Sequence, residues 1–99
     1  MLDAIDRIGL YTDGMSLEVF QADAKTIDAV ERCLQRLTEA AIRLGDDGPR
    51  YLPNQPWADI RGMGNWLRHA YDRIDTAILW NTIEEQLPRL RADLERIAQ

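Results

Sequence analysis

Within the stretch Arg61-Gly62-Met63-Gly64-Asn65-Trp66-Leu67-Arg68-His69-Ala70-Tyr71 the chain gathers its only histidine, two arginines, an amide, an indole and a phenol. No other segment concentrates chemistry in this way. An imidazole can take and give a proton near neutral pH, and fixed guanidinium groups beside it can steady charge on a phosphorane. Metal-free cleavage of RNA needs that pair of functions. At about 100° per residue, Asn65 and His69 lie one turn apart on one helical face, so the amide can orient the ring or hold a ligand beside it. Arg61, Asn65, Arg68 and Asp72 share a stripe. By itself that stripe reads as a solvated face with an Arg68–Asp72 ion pair worth about 0.3 kcal/mol, and a lone helical histidine reads as a surface residue. The company the histidine keeps makes it a candidate.

Composition removes several other chemistries. One histidine and one cysteine cannot assemble a usual zinc site, no clustered carboxylates suggest calcium, and Gly62 and Gly64 follow no strand that would make them a nucleotide loop. No metal and no cofactor are therefore expected. Cys33 sits beside Leu34 and Leu37 in a helical stretch and reads as a small buried hydrophobe. Asp3 and Asp6 occupy the place where a secretory signal needs basic and then apolar residues, and the apolar runs are too short to cross a bilayer. A soluble cytoplasmic protein with no membrane association is expected. The net charge of −5 argues against non-specific coating of nucleic acid, yet residues 50–73 carry four basic and two acidic side chains and form the one locally positive third.

The elements that must position these groups are helices throughout. Ninety-nine residues at 45% hydrophobic content allow one domain, residues 1–99, with one core closed without metal or disulfide. Leu2, Ile5, Ile8 and Tyr11 mark a first helix ended by Asp13-Gly14, and Ser16 caps a short second one carrying Leu17 and Phe20. Asp23 caps the longest pattern, Ile27, Val30, Leu34, Leu37, Ala41 and Leu44, a helix of about twenty residues stopped by Gly45. Asp46-Asp47-Gly48-Pro49 and Pro53-Asn54-Gln55-Pro56 bracket a segment expected as a loop. Pro56 then suits the first turn of a helix running to about Tyr71 or Arg73, with Trp57, Ile60, Gly64, Leu67, Tyr71 and Ile74 at helical spacing. Asp75 caps the last helix, and Pro88 predicts a kink or restart near Leu87. The fold class expected is all-α, an antiparallel bundle of four to five helices. Trp57, Trp66 and Trp80 add apolar bulk that suggests a residual face for a second subunit.

Taken together, several fragments resemble the HepT-like toxin family of the HEPN superfamily. They are Ser16-Leu17-Glu18-Val19-Phe20, Ala29-Val30-Glu31-Arg32, Glu39-Ala40-Ala41, Trp57 with Ile60, Gly62-Met63, then Asn65, Leu67, His69 and Tyr71, and finally Trp80 with Leu87-Pro88. The resemblance spans nearly the whole chain. It implies a homodimeric, metal-independent RNA endonuclease, the toxin of a toxin–antitoxin pair whose partner is a minimal nucleotidyltransferase antitoxin. By the same resemblance His69 matches the general acid/base, Asn65 the polar residue after the family's arginine, and Tyr71 the tyrosine that the partner adenylylates. The arginine slot itself falls on Gly64. Losing a cation there should cost on the order of 10²-fold or more in rate, so either Arg61 or Arg68, each about one turn away, leans over the vacant position and takes the phosphate role, or the site is a relic. In a continuous helix Tyr71 points about 200° from His69, which requires unwinding near Ala70 or a contribution from the second subunit; as a stripe residue with Leu67 and Ile74, Tyr71 reads equally as core.

The reading is thus a toxin-like ribonuclease weakened by Gly64, with His69, Arg68, Arg61 and Asn65 as catalytic candidates and Tyr71 as a modification site. Two alternatives stand beside it. One is a non-catalytic helical subunit that docks a nucleotidyltransferase; the other is a plain helical assembly domain indifferent to loss of His69.

Overall fold

The computed structural model describes residues 1–70 and 74–98. Among them the helices are α1 (Leu2–Thr12), α2 (Leu17–Gln21), α3 (Ala24–Leu44), α4 (Asp47–Tyr51), α5 (Trp57–Ala70), α6 (Thr76–Asn81) and α7 (Leu87–Ala98), with a π turn, Thr82–Gln86, between the last two. The described residues form no strand, and the fold is the all-helical bundle expected. No described helix is long and apolar enough to cross a membrane.

Local signals set most of the boundaries. The Ser16 side chain accepts from Val19 N–H at 3.2 Å, Asp23 from Thr26 N–H at 3.1 Å and Asp75 from Ala77 N–H at 2.9 Å, so all three expected N-caps are made. The bond from the Thr26 backbone also holds the Asp23 carboxyl below its usual range. Gly14 and Gly45 close α1 and α3 with φ of 73° and 52°, a conformation that a side chain would oppose.

One expectation needs correcting. The segment expected as loop contains α4, because Pro49 is its third residue, within the first turn, where a missing N–H deprives the helix of nothing. Gly48 also lets that turn lie on the Trp57 indole, with 3.1 Å between the ring and an ideal Cβ on the glycine. Pro56 stands just ahead of α5, its carbonyl accepting from Ile60 N–H at 3.0 Å. Near Leu87 the restart takes a specific form: Leu87 N–H reaches back five residues to Thr82 O. The wider π turn accommodates Pro88, whose ring and absent N–H would break a regular helix there.

The core is made chiefly where α3 lies between α1 and α5, with α7 closing against α1 and α2 against α3 and α6. Val30, Cys33, Leu34, Leu37 and Ala41 turn inward from α3, so the cysteine is the buried hydrophobe expected. In α1 the inward stripe is Ala4, Ile5, Ile8 and Thr12; Tyr11 is exposed, and the Thr12 hydroxyl donates to Ile8 O at 2.8 Å. The tryptophans are housed. Trp57 is buried with its indole N–H on Leu52 O at 2.7 Å, Trp80 packs on Phe20 with ring centroids 5.2 Å apart, and Trp66 is half-buried against the core. The apolar surface left exposed therefore comes from aliphatic residues and tyrosines.

One carboxylate on α3 works against folding at neutral pH. Glu31 is half-buried, and burial first, then Asp28 one turn earlier, raises its pKa. A carboxyl raised in the folded state contributes stability that is complete below its unfolded pKa and is lost as pH rises through the folded one. Glu31→Gln is therefore expected to melt higher than the wild type at pH 7, with the difference gone below about pH 4 in thermal melts across that range.

Candidate functional site

The geometry of α5 follows from where it is anchored. Trp57 and Leu67, near its two ends, are buried, each contributing about 1.5–3 kcal/mol, and Asp59 in the first turn and Arg68 and His69 in the last complement the helix dipole. With those residues inward, Gly62, Asn65, Arg68 and His69 are left facing out. Asn65 and His69 are one turn apart on that exposed face, as the spacing predicted.

Gly64 does not face out. It is buried at the crossing of α3 and α5, and an ideal Cβ placed on it would lie 2.7 Å from Thr38 Oγ1 and 2.8 Å from Thr38 Cβ. The two helices have closed on the missing side chain. Thr38 has little freedom to give way, being β-branched, buried and held by its own hydroxyl donating to Gln35 O at 3.0 Å. On its other side the same point lies 3.5 Å from Arg68 Nη1. One guanidinium therefore leans over the vacant Cβ position of Gly64, and it is that of Arg68.

Arg61 is engaged elsewhere. Its Nη2 donates to Gly45 O at 2.7 Å, so this arginine caps the end of α3 across the antiparallel α3–α5 pair. Tyr71 and Asp72 lie outside the described residues. Sequence reasoning missed Thr38 because nothing local marks it: its importance arises from a contact between positions far apart in the chain.

A steric prediction follows. Gly64→Ala gains about 1 kcal/mol in helix propensity but forces an overlap of the kind that costs about 1–3 kcal/mol. With a rigid neighbour the overlap wins, and the melting temperature should fall by several degrees. Thr38→Gly in the same chain should recover more than additivity allows, as a double-mutant cycle of melts would show.

Comparison with known proteins bears on what this site belongs to. A family model described as Ribonuclease HepT-like matches residues 1–97. The chain is 35% identical over 95 residues to "Probable ribonuclease HepT" of Thermococcus cleftensis, covering 96% of this chain and 86% of the relative. It is 29% identical to "Putative RNase MJ1216" of Methanocaldococcus jannaschii, covering 98% and 80% of the two chains. It is 31% identical to "Putative RNase TTE0752" of Caldanaerobacter subterraneus, covering 87% and 77%. No solved structure matches. A family model that fits almost from end to end and a relative sharing a third of its residues agree with the helical fold: the chain belongs to the HepT-like ribonuclease family.

Proposed function

We propose that the protein is a metal-independent RNA endonuclease acting as the toxin of a toxin–antitoxin pair, with His69 as general acid/base and Arg68 as the phosphate-holding cation. The observation that carries this reading is the Arg68 guanidinium standing 3.5 Å from the vacant Cβ position of Gly64, on the residue next to an exposed imidazole. Asn65, one turn before His69, orients the ring or the strand. Arg61 supports the site from behind through Gly45.

The chemistry uses the RNA's own 2′-hydroxyl. A base takes its proton, the oxygen attacks phosphorus, and the bond to the 5′-oxygen breaks as an acid protonates it, leaving a 2′,3′-cyclic phosphate and a 5′-hydroxyl. The two proton transfers occur on opposite sides of the phosphorus, and each chain offers a single imidazole. A homodimer paired across α5 supplies two. In this reading the protein works in the cytoplasm and pairs with a minimal nucleotidyltransferase antitoxin that modifies Tyr71.

The test is cleavage of RNA by purified protein in the presence of chelator. His69→Ala and Arg68→Ala should lose cleavage while Arg61→Ala keeps it per folded molecule; unchanged cleavage in both of the first two would end the proposal. Gly64 in the arginine slot favours one other reading, a non-catalytic subunit that docks the nucleotidyltransferase. That reading expects a tight complex with the partner and no cleavage by the wild type.

A further inference from the structure

At the other end of α5 lies a second concavity. The start of α1, the last turns of α3, α4 and the end of α7 enclose a cleft of about 690 Å³, within the range that takes a nucleotide-sized ligand. Its floor is apolar, with Trp57 and Leu52 buried beneath it. Its walls are side chains that a closed core would have covered: Tyr51 is 61% exposed and Ile97 52%.

The charged residues lining this cleft are Arg43, Asp3 and Asp47. Arg43 lines it and also lines an adjoining recess of about 190 Å³ between α1 and α3, where Arg36 and Arg7 stand. Arg36 and Arg43 are seven residues apart on α3, two turns and about 10.5 Å along one stripe. Arg50 lies over the Tyr51 ring at 5.7 Å. Among the described residues, Arg89, Arg91 and Arg96 each hold a carboxylate, whereas Arg36, Arg43 and Arg50, like Arg32, Arg61 and Arg68, hold none. Nearby acids do not cancel them: Asp3 is taken by Arg7 at 3.1 Å, and Glu39, between the two α3 arginines, is within ion-pair distance of neither. Asp47 remains on the rim, an acceptor rather than a partner.

Arg43 in the apolar cleft, Arg50 over the exposed phenol of Tyr51 and Arg36 in the adjoining recess, none of them held by a carboxylate, have the makings of a single-strand platform. A base stacks on Tyr51, phosphates lie along Arg36 and Arg43, and the Asp47 carboxylate can accept from a ribose hydroxyl or an exocyclic amine. We infer that this cleft is a second RNA-binding groove, about 18 Å along α5 from His69, which grips the strand away from the point of cleavage. It rests on the ribonuclease reading for the identity of the strand, but its residues and its readout are separate.

The experiment is fluorescence anisotropy of a labelled single-stranded RNA with the full chain, alongside cleavage kinetics. Arg36→Glu/Arg43→Glu should weaken binding by about 10-fold or more and make the salt slope shallower by about 1.4, the value for two phosphate contacts on a single strand. Tyr51→Ala should weaken it about 5- to 100-fold. Both should raise KM and leave kcat as it was, and Arg89→Glu on another face should change nothing. RNA binding with this sensitivity but no cleavage keeps the groove and removes the nuclease. Cleavage with binding and KM indifferent to all three substitutions keeps the nuclease and overturns the groove. Adenosine monophosphate bound as tightly as the strand would overturn it in favour of a free nucleotide. A dimer lost on Tyr51→Ala in sedimentation, with RNA binding untouched, would overturn it in favour of a second copy of the chain.

Discussion

His69→Ala is expected to lower the rate of RNA cleavage by about 10²–10⁴-fold while leaving the melting temperature and RNA affinity close to those of the wild type. The size is that of losing a positioned general acid/base. The stability forecast follows from exposure: the imidazole faces out from the last turn of α5, and substitutions at such surface positions usually stay within about 0.5 kcal/mol. In a dimer that uses one imidazole to take the 2′ proton and the other to give one to the 5′-oxygen, both are lost together. Single-turnover kinetics at saturating RNA would measure the effect in kcat, with KM unmoved. Asn65→Ala should cost less, because an amide that orients a ring is partly replaced by water.

The second large effect concerns Arg68. In the proposed role it is the cation over the phosphorane, and Arg68→Ala should cost about 10²–10³-fold in kcat, comparable to loss of an oxyanion-hole donor. Arg68→Lys should recover only part of that, since an ammonium keeps the charge but not the planar fork that fits two phosphate oxygens. Arg61→Ala is the informative contrast. Its hydrogen bond to Gly45 O is part-buried and charge-assisted, so its loss should appear as about 1.5–3 kcal/mol of stability in denaturant melts, with cleavage per folded molecule retained. Before the fold is known the two arginines are interchangeable, each about a turn from Gly64. Their separate fates come from α3, which offers a carbonyl to one and nothing comparable to the other.

How far the chain could be read in advance follows the same division between local and distant causes. The caps at Ser16, Asp23 and Asp75, the stop at Gly45 and the disturbance ahead of Pro88 are decided within a few residues, and all were legible. The turn of helix at Asp47–Tyr51 was not, because Gly48 and Pro49 disfavour a helix by composition and are rescued by position, one against an indole and the other in a first turn. In the site, periodicity alone puts Asn65 and His69 on one face. It cannot show that Gly64 faces inward onto Thr38, or that the space near its Cβ is bounded on the far side by Arg68. Nothing in the sequence singled out the arginine stripe Arg36–Arg43 on α3. It acquires meaning only when Tyr51 and Ile97, remote in sequence, are found beside it.

The most direct test of the central claim, that imidazole and guanidinium on α5 cut RNA through its own 2′-hydroxyl, is mass spectrometry of the ends produced in the presence of chelator. 2′,3′-Cyclic phosphate is expected on one fragment and a 5′-hydroxyl on the other, both absent with His69→Ala. Fragments bearing 3′-hydroxyl and 5′-phosphate, or cyclic-phosphate ends that persist without His69, would contradict the claim.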